Sequence, residues 1–153
     1  MRIESHFIIL CCVIFSCYAF AQQEIKMTIS EYNKEKEAIL NTIINSVPFD
    51  SINSIYSDPS SHFVFAKNEI LKEDIPITLM YKNLKVEIVD CSQTKENCWL
   101  IGDFFLNIYT KNPKEARVQI VLIRENKSIE ETFVGIMLDK HKKWQIRNFT
   151  LID

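Results

Sequence analysis

The residue types best suited to chemistry in this sequence are two cysteines, Cys91 and Cys98, which lie seven positions apart. A zinc site would combine them with two histidines, His62 and His141, but structural zinc ligands usually come in close pairs such as Cys-x2-Cys. A redox-active dithiol would have Cys-x-x-Cys spacing at the start of a helix. The spacing of the two cysteines therefore argues against both a metal site and a redox centre.

The segments that flank the two cysteines favour a disulfide. The alternating stretch LKVEIVDC ends at Cys91, the apolar stretch CWLIGDFFLNIYT begins at Cys98, and polar residues 92–97 separate them. Opposed residues of an antiparallel strand pair lie close enough together for a disulfide. The sequence thus predicts an intramolecular Cys91–Cys98 disulfide that closes a hairpin loop.

The first 21 residues have the pattern of a secretory signal peptide. Arg2 supplies a positive start, residues 7–18 form an apolar run, and residues 19–21 include the small side chains that a signal peptidase reads. The run is shorter than the ~20 residues of a membrane-spanning helix, so no stable membrane span is predicted. We expect cleavage after Ala21 and a periplasmic or secreted mature chain. The alternative is a lipid anchor through Cys17.

Composition narrows the function classes for the mature chain, residues 22–153. The formal net charge of −2 provides no electrostatic attraction to nucleic acid. Two glycines cannot build a glycine-rich phosphate loop, and no cofactor or metal motif is present. An oxidising compartment would let the disulfide persist. We therefore expect a single exported domain without a cofactor, a metal or a nucleic-acid partner.

Three helices are predicted in the first half of the mature chain. Thr28 and Glu31 have capping-box spacing, and the apolar residues that follow recur on one face of a helix that Pro48 would end. A short second helix would be capped by Asp50, and a short third helix by Asp74. Each helix must bury its apolar face against a sheet.

Strand patterns fill the rest of the chain. A short strand, HFVFA, precedes the third helix, and five alternating segments separated by short polar loops follow it. Helices followed by antiparallel strands predict an α+β fold in which the N-terminal helices pack on one face of the sheet.

Irregular alternation predicts bulges in two of these strands. One extra residue at Gly102 and Asp103 aligns Trp99 and Phe104 on one continuous apolar face and turns Phe105 outward. The last strand has a similar skip between its Trp-x-Ile and Phe-x-Leu pairs. Because bulges bend a sheet, we expect a strongly curved sheet that wraps the first helix.

The order of the elements resembles that of the nuclear transport factor 2-like superfamily, a cone-shaped α+β fold. The C-terminal stretch DKHKKWQIRNFTLI is similar to the usual ending of that superfamily, a charged turn followed by a tryptophan and alternating apolar residues. The superfamily includes isomerases, dehydratases, carrier subunits, adaptor domains and bacterial immunity proteins. The resemblance therefore implies a fold and leaves the function open.

Enzymes of this superfamily place an Asp, His or Tyr in the mouth of the cone, and the comparable residues here are Tyr56, His62, Tyr81, Asp90 and Asp103. Asp103 is the best candidate for a general base, because regular alternation would turn it inward, where burial raises the pKa of a carboxyl group. The bulged register turns it outward instead. No acid and base pair typical of such an enzyme is recognisable in the sequence.

The sequence favours a non-catalytic binding domain of the bacterial cell envelope, such as an immunity or accessory protein. In the bulged register Phe105 and Tyr109 face outward beside Asn107, as the aromatic anchors of a protein interface do. The partner would be a protein or a small apolar ligand, and a homodimer through the same face is an alternative. The second function left open is a small isomerase- or hydrolase-like enzyme with Asp103 as the base in the cone cavity.

Overall fold

The structure, a computed structural model, describes most of the chain that follows the predicted signal peptide. The described residues are 27–56, 63–72, 76–93, 97–107, 114–124 and 127–152. In chain order the elements are α1 (Ile29–Ile44), α2 (Val47–Tyr56), β1 (Val64–Ala66), β2 (Met80–Tyr81), β3 (Leu84–Lys85), β4 (Ile88–Val89), a 3-10 turn (Cys91–Gln93), β5 (Cys98–Asn107), β6 (Glu115–Arg124), β7 (Lys127–Leu138) and β8 (Trp144–Ile152). The predicted signal peptide with Cys17, and also His62, Asp74 and Tyr109, lie outside the described residues.

Helix α1 begins with the predicted capping box. The Thr28 hydroxyl accepts the backbone N–H of Glu31 at 3.2 Å, and the Glu31 carboxylate accepts the backbone N–H of Thr28 at 2.8 Å. These hydrogen bonds lower the pKa of Glu31, because they stabilise its charged form. The apolar face of the helix is fully buried at Ile39, Leu40, Ile43 and Ile44.

Helix α2 begins earlier than predicted, and Pro48 belongs to it. Helix α1 already ends at Ile44, and Pro48 lies in the first turn of α2, where a missing N–H breaks no helical hydrogen bond. The Ser46 hydroxyl accepts the backbone N–H of Phe49 at 3.3 Å. Ser46 therefore caps α2, and the prediction that Asp50 is the cap was wrong.

The predicted third helix is replaced by the β2–β3 hairpin. Its turn residues, Lys82 and Asn83, have φ values of 47° and 67°, as a two-residue hairpin turn with positive φ at both positions requires. Side chains near the end of α1 hold this segment extended. The side-chain oxygen of Asn41 accepts a hydrogen bond from the backbone N–H of Met80 at 2.7 Å. The side-chain oxygen of Asn45 accepts one from the backbone N–H of Lys82 at 2.9 Å. These tertiary hydrogen bonds override the local helical pattern.

The main sheet has six strands in the order β4-β1-β5-β6-β7-β8. Strands β5 to β8 are antiparallel neighbours, whereas β1 pairs in parallel with both β4 and β5. The α+β class, with two helices and a mostly antiparallel sheet, is therefore confirmed. The predicted strand that ends at Cys91 is broken into β3 and β4, because β3 pairs with β2 while β4 pairs with β1.

Both predicted bulges are present. The pairing of β5 with β6 shifts by one residue between Ile101 and Asp103, which leaves Gly102 as the extra residue. The pairing of β7 with β8 shifts beside Gly135, where Arg147 is the extra residue. Contrary to expectation, the sheet is not strongly curled. A bulge bends only the strand that carries it, and bulges in different strands need not add up to one curvature.

The hydrophobic core lies between the helices and the inner face of the sheet. Trp99 is 1% exposed, and the buried residues around it include Phe49, Phe65 and Trp144. Phe104 and Phe149, also predicted for the core, are half-buried and pack against its border. Neither described helix is long and apolar enough to cross a membrane.

Polar contacts fasten α1 to the sheet at one end of this core. The Glu35 carboxylate accepts the indole N–H of Trp144 at 2.9 Å and pairs with the Lys114 ammonium at 2.8 Å. The Lys36 ammonium is buried, donates to the carbonyl of Ile70 at 3.2 Å and lies over the Phe104 ring. Burial lowers the pKa of Lys36, because the charged form loses water. These contacts position the helix and leave the opposite face of β5–β8 uncovered by either described helix.

Candidate functional site

Cys91 and Cys98 form a disulfide, with their Cα atoms 5.9 Å apart. The predicted pairing is correct, but the predicted hairpin is not. Strand β1 lies between β4 and β5, and its Val64 pairs with Cys98. The chain from β4 to β5 is therefore a crossover past β1, and the disulfide packs beside Val64 and Ala66 on the sheet face opposite the helices.

An open groove of about 720 Å³ lies on the helix-free face of β5–β8, and we call it the outer groove. Every one of these four strands contributes side chains to it. The residues that line the outer groove include Asp103, Phe105, Glu115, Arg117, Gln119, Phe133, Gly135, Met137, Arg147 and Asn148.

One row of paired residues crosses the middle of the outer groove. Phe105 pairs with Arg117, Arg117 with Gly135, and Gly135 with Asn148. A Cβ atom at Gly135 would lie 1.8 Å from Asn148 Oδ1, so the Asn148 side chain would have to move if residue 135 were larger than glycine. The Asn148 amide therefore lies over the glycine and forms part of the groove floor.

Two large aromatic side chains are exposed in the outer groove. Phe105 is 56% exposed and Phe133 is 44% exposed. The outward orientation predicted for Phe105 is thus observed, and half-buried Asn107 follows two residues later on the same strand. Two exposed phenylalanines in one groove form an apolar surface of the kind that partners cover.

Two arginines in the outer groove have no described carboxylate partner. Among the described residues, Arg117 forms no ion pair, and the Arg147 guanidinium forms a single hydrogen bond, to the Met137 sulfur at 4.0 Å. The sequence analysis missed both arginines and Phe133. Polar residues alternate with apolar ones along ARVQIVLI and WQIRNF, and this alternation could have indicated that both arginines face outward. Only the pairing of the strands shows that the two arginines lie in the same groove.

The predicted catalytic candidates are not brought together. Asp103 is exposed, and its carboxylate accepts the backbone N–H of Phe104 at 2.8 Å. Tyr56 donates to Glu130 at 2.7 Å, and Asp90 accepts from Ser92. No hydrogen bond joins any two of these candidates within the described part of the chain.

Tyr81 belongs to a separate polar cluster that ties the β2–β3 hairpin to α2. Its hydroxyl donates to Asp50, and the Lys82 ammonium pairs with the same carboxylate at 2.7 Å. Burial and the Asp50 carboxylate raise the pKa of Tyr81, while hydrogen bonds from Lys82 and Tyr81 lower the pKa of Asp50. Each group stabilises the protonation state that its partner already has at neutral pH. The cluster therefore holds the β2–β3 hairpin against α2.

No cluster of three or more metal-ligating side chains occurs among residues that the structure describes. Comparison with known proteins found no matching protein-family model, no similar curated protein and no similar solved structure. The resemblance to the nuclear transport factor 2-like superfamily stays a prediction from element order and the C-terminal pattern, with its third helix absent from residues 76–83.

Proposed function

We propose that this chain is an exported, non-catalytic binding domain that recognises another protein through its outer groove. The observation that carries the proposal is the pair of exposed aromatic rings, Phe105 and Phe133, on a sheet face that no described helix covers. Aromatic and arginine side chains dominate the binding energy of protein interfaces, and both residue types line this groove. An immunity or accessory protein of the bacterial cell envelope is the form that the predicted superfamily resemblance favours.

A protein partner fits the outer groove better than a small apolar ligand does. Small-molecule sites are concave and bury most of the ligand surface. Here the two aromatic side chains remain about half exposed, so the groove would enclose a small ligand poorly. A flat partner surface would cover both rings at once.

A catalytic function has less support. The base of the alternative enzyme, Asp103, lies exposed on the helix-free face and not in a core cavity. Burial, together with the nearby Asp103 charge, raises the pKa of Tyr32. Tyr32 is half-buried against Phe104, and no acid or base among the described residues is its hydrogen-bond partner. General acid–base catalysis needs two such groups within reach of one substrate.

The binding surface can be tested by capture from a cell-envelope extract. We expect the native protein to retain a partner that the Phe105→Ala, Phe133→Ala double variant loses, because the rings supply most of the apolar contact area. Ile55→Ala is the matched control, since Ile55 is 73% exposed on α2, away from the groove. A partner that the double variant retains would contradict the proposed surface. A change in sedimentation mass of the purified double variant would instead identify the face as a homodimer contact.

Export is supported by the signal-like residues 1–21 and by the disulfide, since disulfides persist in oxidising compartments. The intact mass of the protein purified from its native host should correspond to a chain that begins at Gln22. A diacylglyceryl-modified Cys17 at the N-terminus would place the protein on a membrane surface instead. A full-length mass that retains Met1 would contradict export.

A further inference from the structure

We propose that the outer groove holds a carboxylate-binding subsite between Arg117 and Arg147, over the Asn148 amide that covers Gly135, and that this subsite selects a partner segment with an acidic side chain between two apolar ones. This inference rests on the proposed function, because it specifies the partner of the same groove. In this subsite Arg117 and Arg147 bind the negative charge of the acidic side chain.

The geometry of the central row supports a subsite for an anion. Gly135 lies on β7 between Arg117 on β6 and Asn148 on β8, and the Asn148 amide covers it. The extra residue Arg147 lies beside Asn148. Neighbouring strands are about 4.8 Å apart, so an anion above β7 lies within reach of arginines on both sides. A guanidinium binds a carboxylate through two parallel hydrogen bonds.

The hydrogen-bond donors of this row lack acceptors in the described part of the chain. Arg117 has no ion pair there, and the single hydrogen bond that Arg147 makes there is to the Met137 sulfur. No hydrogen bond of the Asn148 amide occurs among the described residues. A carboxylate has only acceptor oxygens and is therefore the complementary group.

The carboxylates of the protein lie outside this row. Asp103 pairs with Gln119, and Glu115 pairs with Met137, in the rows on either side of it. Asp103 already accepts a backbone N–H, and Glu131 accepts the Gln119 amide at 3.3 Å. An incoming carboxylate is thus repelled from the neighbouring rows and attracted to the central one.

Apolar side chains flank the subsite along β7. Phe133 and Met137 lie two residues before and after Gly135, which is about 7 Å in each direction along a strand. An extended partner segment presents alternate side chains at the same spacing, and packed sheets align their strands within about 30°. The segment that fits has the pattern apolar-x-acidic-x-apolar.

The test uses two synthetic peptides, Ser-Leu-Ser-Glu-Ser-Leu-Ser and the same peptide with Gln for Glu, titrated into the ¹⁵N-labelled protein. We expect the amide signals of Gly135 and its strand neighbours to shift, with about tenfold tighter binding of the Glu peptide. The Arg117→Gln, Arg147→Gln double variant should lose this discrimination. The Lys34→Gln, Lys140→Gln double variant carries the same charge change away from the groove and should keep it. Asp103→Asn should bind the Glu peptide more tightly than the native protein does.

Several results would overturn the inference. These are equal affinity for both peptides, no binding of either peptide, or discrimination that persists in the arginine variant while its remaining amide spectrum stays native. The proposed function is tested independently of this subsite. If capture from envelope extract depends on Phe105 and Phe133 but not on the arginines, the binding face is correct and the carboxylate subsite is wrong.

Discussion

Replacing Trp99 with alanine is expected to lower the free energy of unfolding by about 4 kcal/mol. Trp99 is 1% exposed, and its ring lies 4.9 Å from the Phe49 ring, centroid to centroid. Its indole N–H donates to the Asn53 side chain at 3.1 Å, which joins α2 to the first long strand. The variant loses a fully buried indole ring, leaves a cavity and breaks this hydrogen bond. Urea unfolding followed by circular dichroism would measure the change.

Two further variants separate the contributions at this position. Trp99→Phe keeps much of the packing but loses the bond to Asn53, so it should cost about 2 kcal/mol. Phe105→Ala removes an aromatic ring from the same strand, but that ring is 56% exposed, and the cost should be less than about 1 kcal/mol. A loss of about 3 kcal/mol or more at Phe105 would mean that the bulge is absent and that Phe105 faces the core together with Trp99.

Loss of the Cys91–Cys98 disulfide is expected to lower the free energy of unfolding by about 2.5 kcal/mol. The disulfide closes a loop of about eight residues, and breaking it restores conformational freedom to the unfolded chain. The comparison is urea unfolding with and without a reductant. The Cys91→Ala, Cys98→Ala double variant should match the reduced native protein and should not respond to the reductant.

Thiol titration of the unfolded, unreduced protein provides the direct check on this pair. The expected result is no reactive thiol from Cys91 or Cys98. Two reactive thiols would contradict the disulfide and would remove one support for export. Because Cys98 lies near the start of β5 and Phe105 near its end, we expect reduction to act on binding mainly through stability.

The bulge in β5 shows how far local sequence can determine a functional surface. Only one register gives Trp99, Ile101 and Phe104 a common apolar face, and a glycine marks where the extra residue fits. The outward positions of Asp103 and Phe105 follow from that register alone. The capping box of α1 and the identity of the cysteine pair were likewise predictable, because each depends on residues close together in sequence.

Contacts between distant residues decided what local patterns could not. The segment from 76 to 85 is not helical because Asn41 of α1 and Asn45, which follows the helix, accept hydrogen bonds from its backbone. Strand β1 separates β4 from β5, although nothing in the cysteine spacing indicates it. Local sequence patterns did not predict the outer groove either. Arg117, Gly135 and Asn148 form one row only because three strands pair in a bulged register, and the energy of that pairing belongs to the whole sheet rather than to any short stretch of sequence.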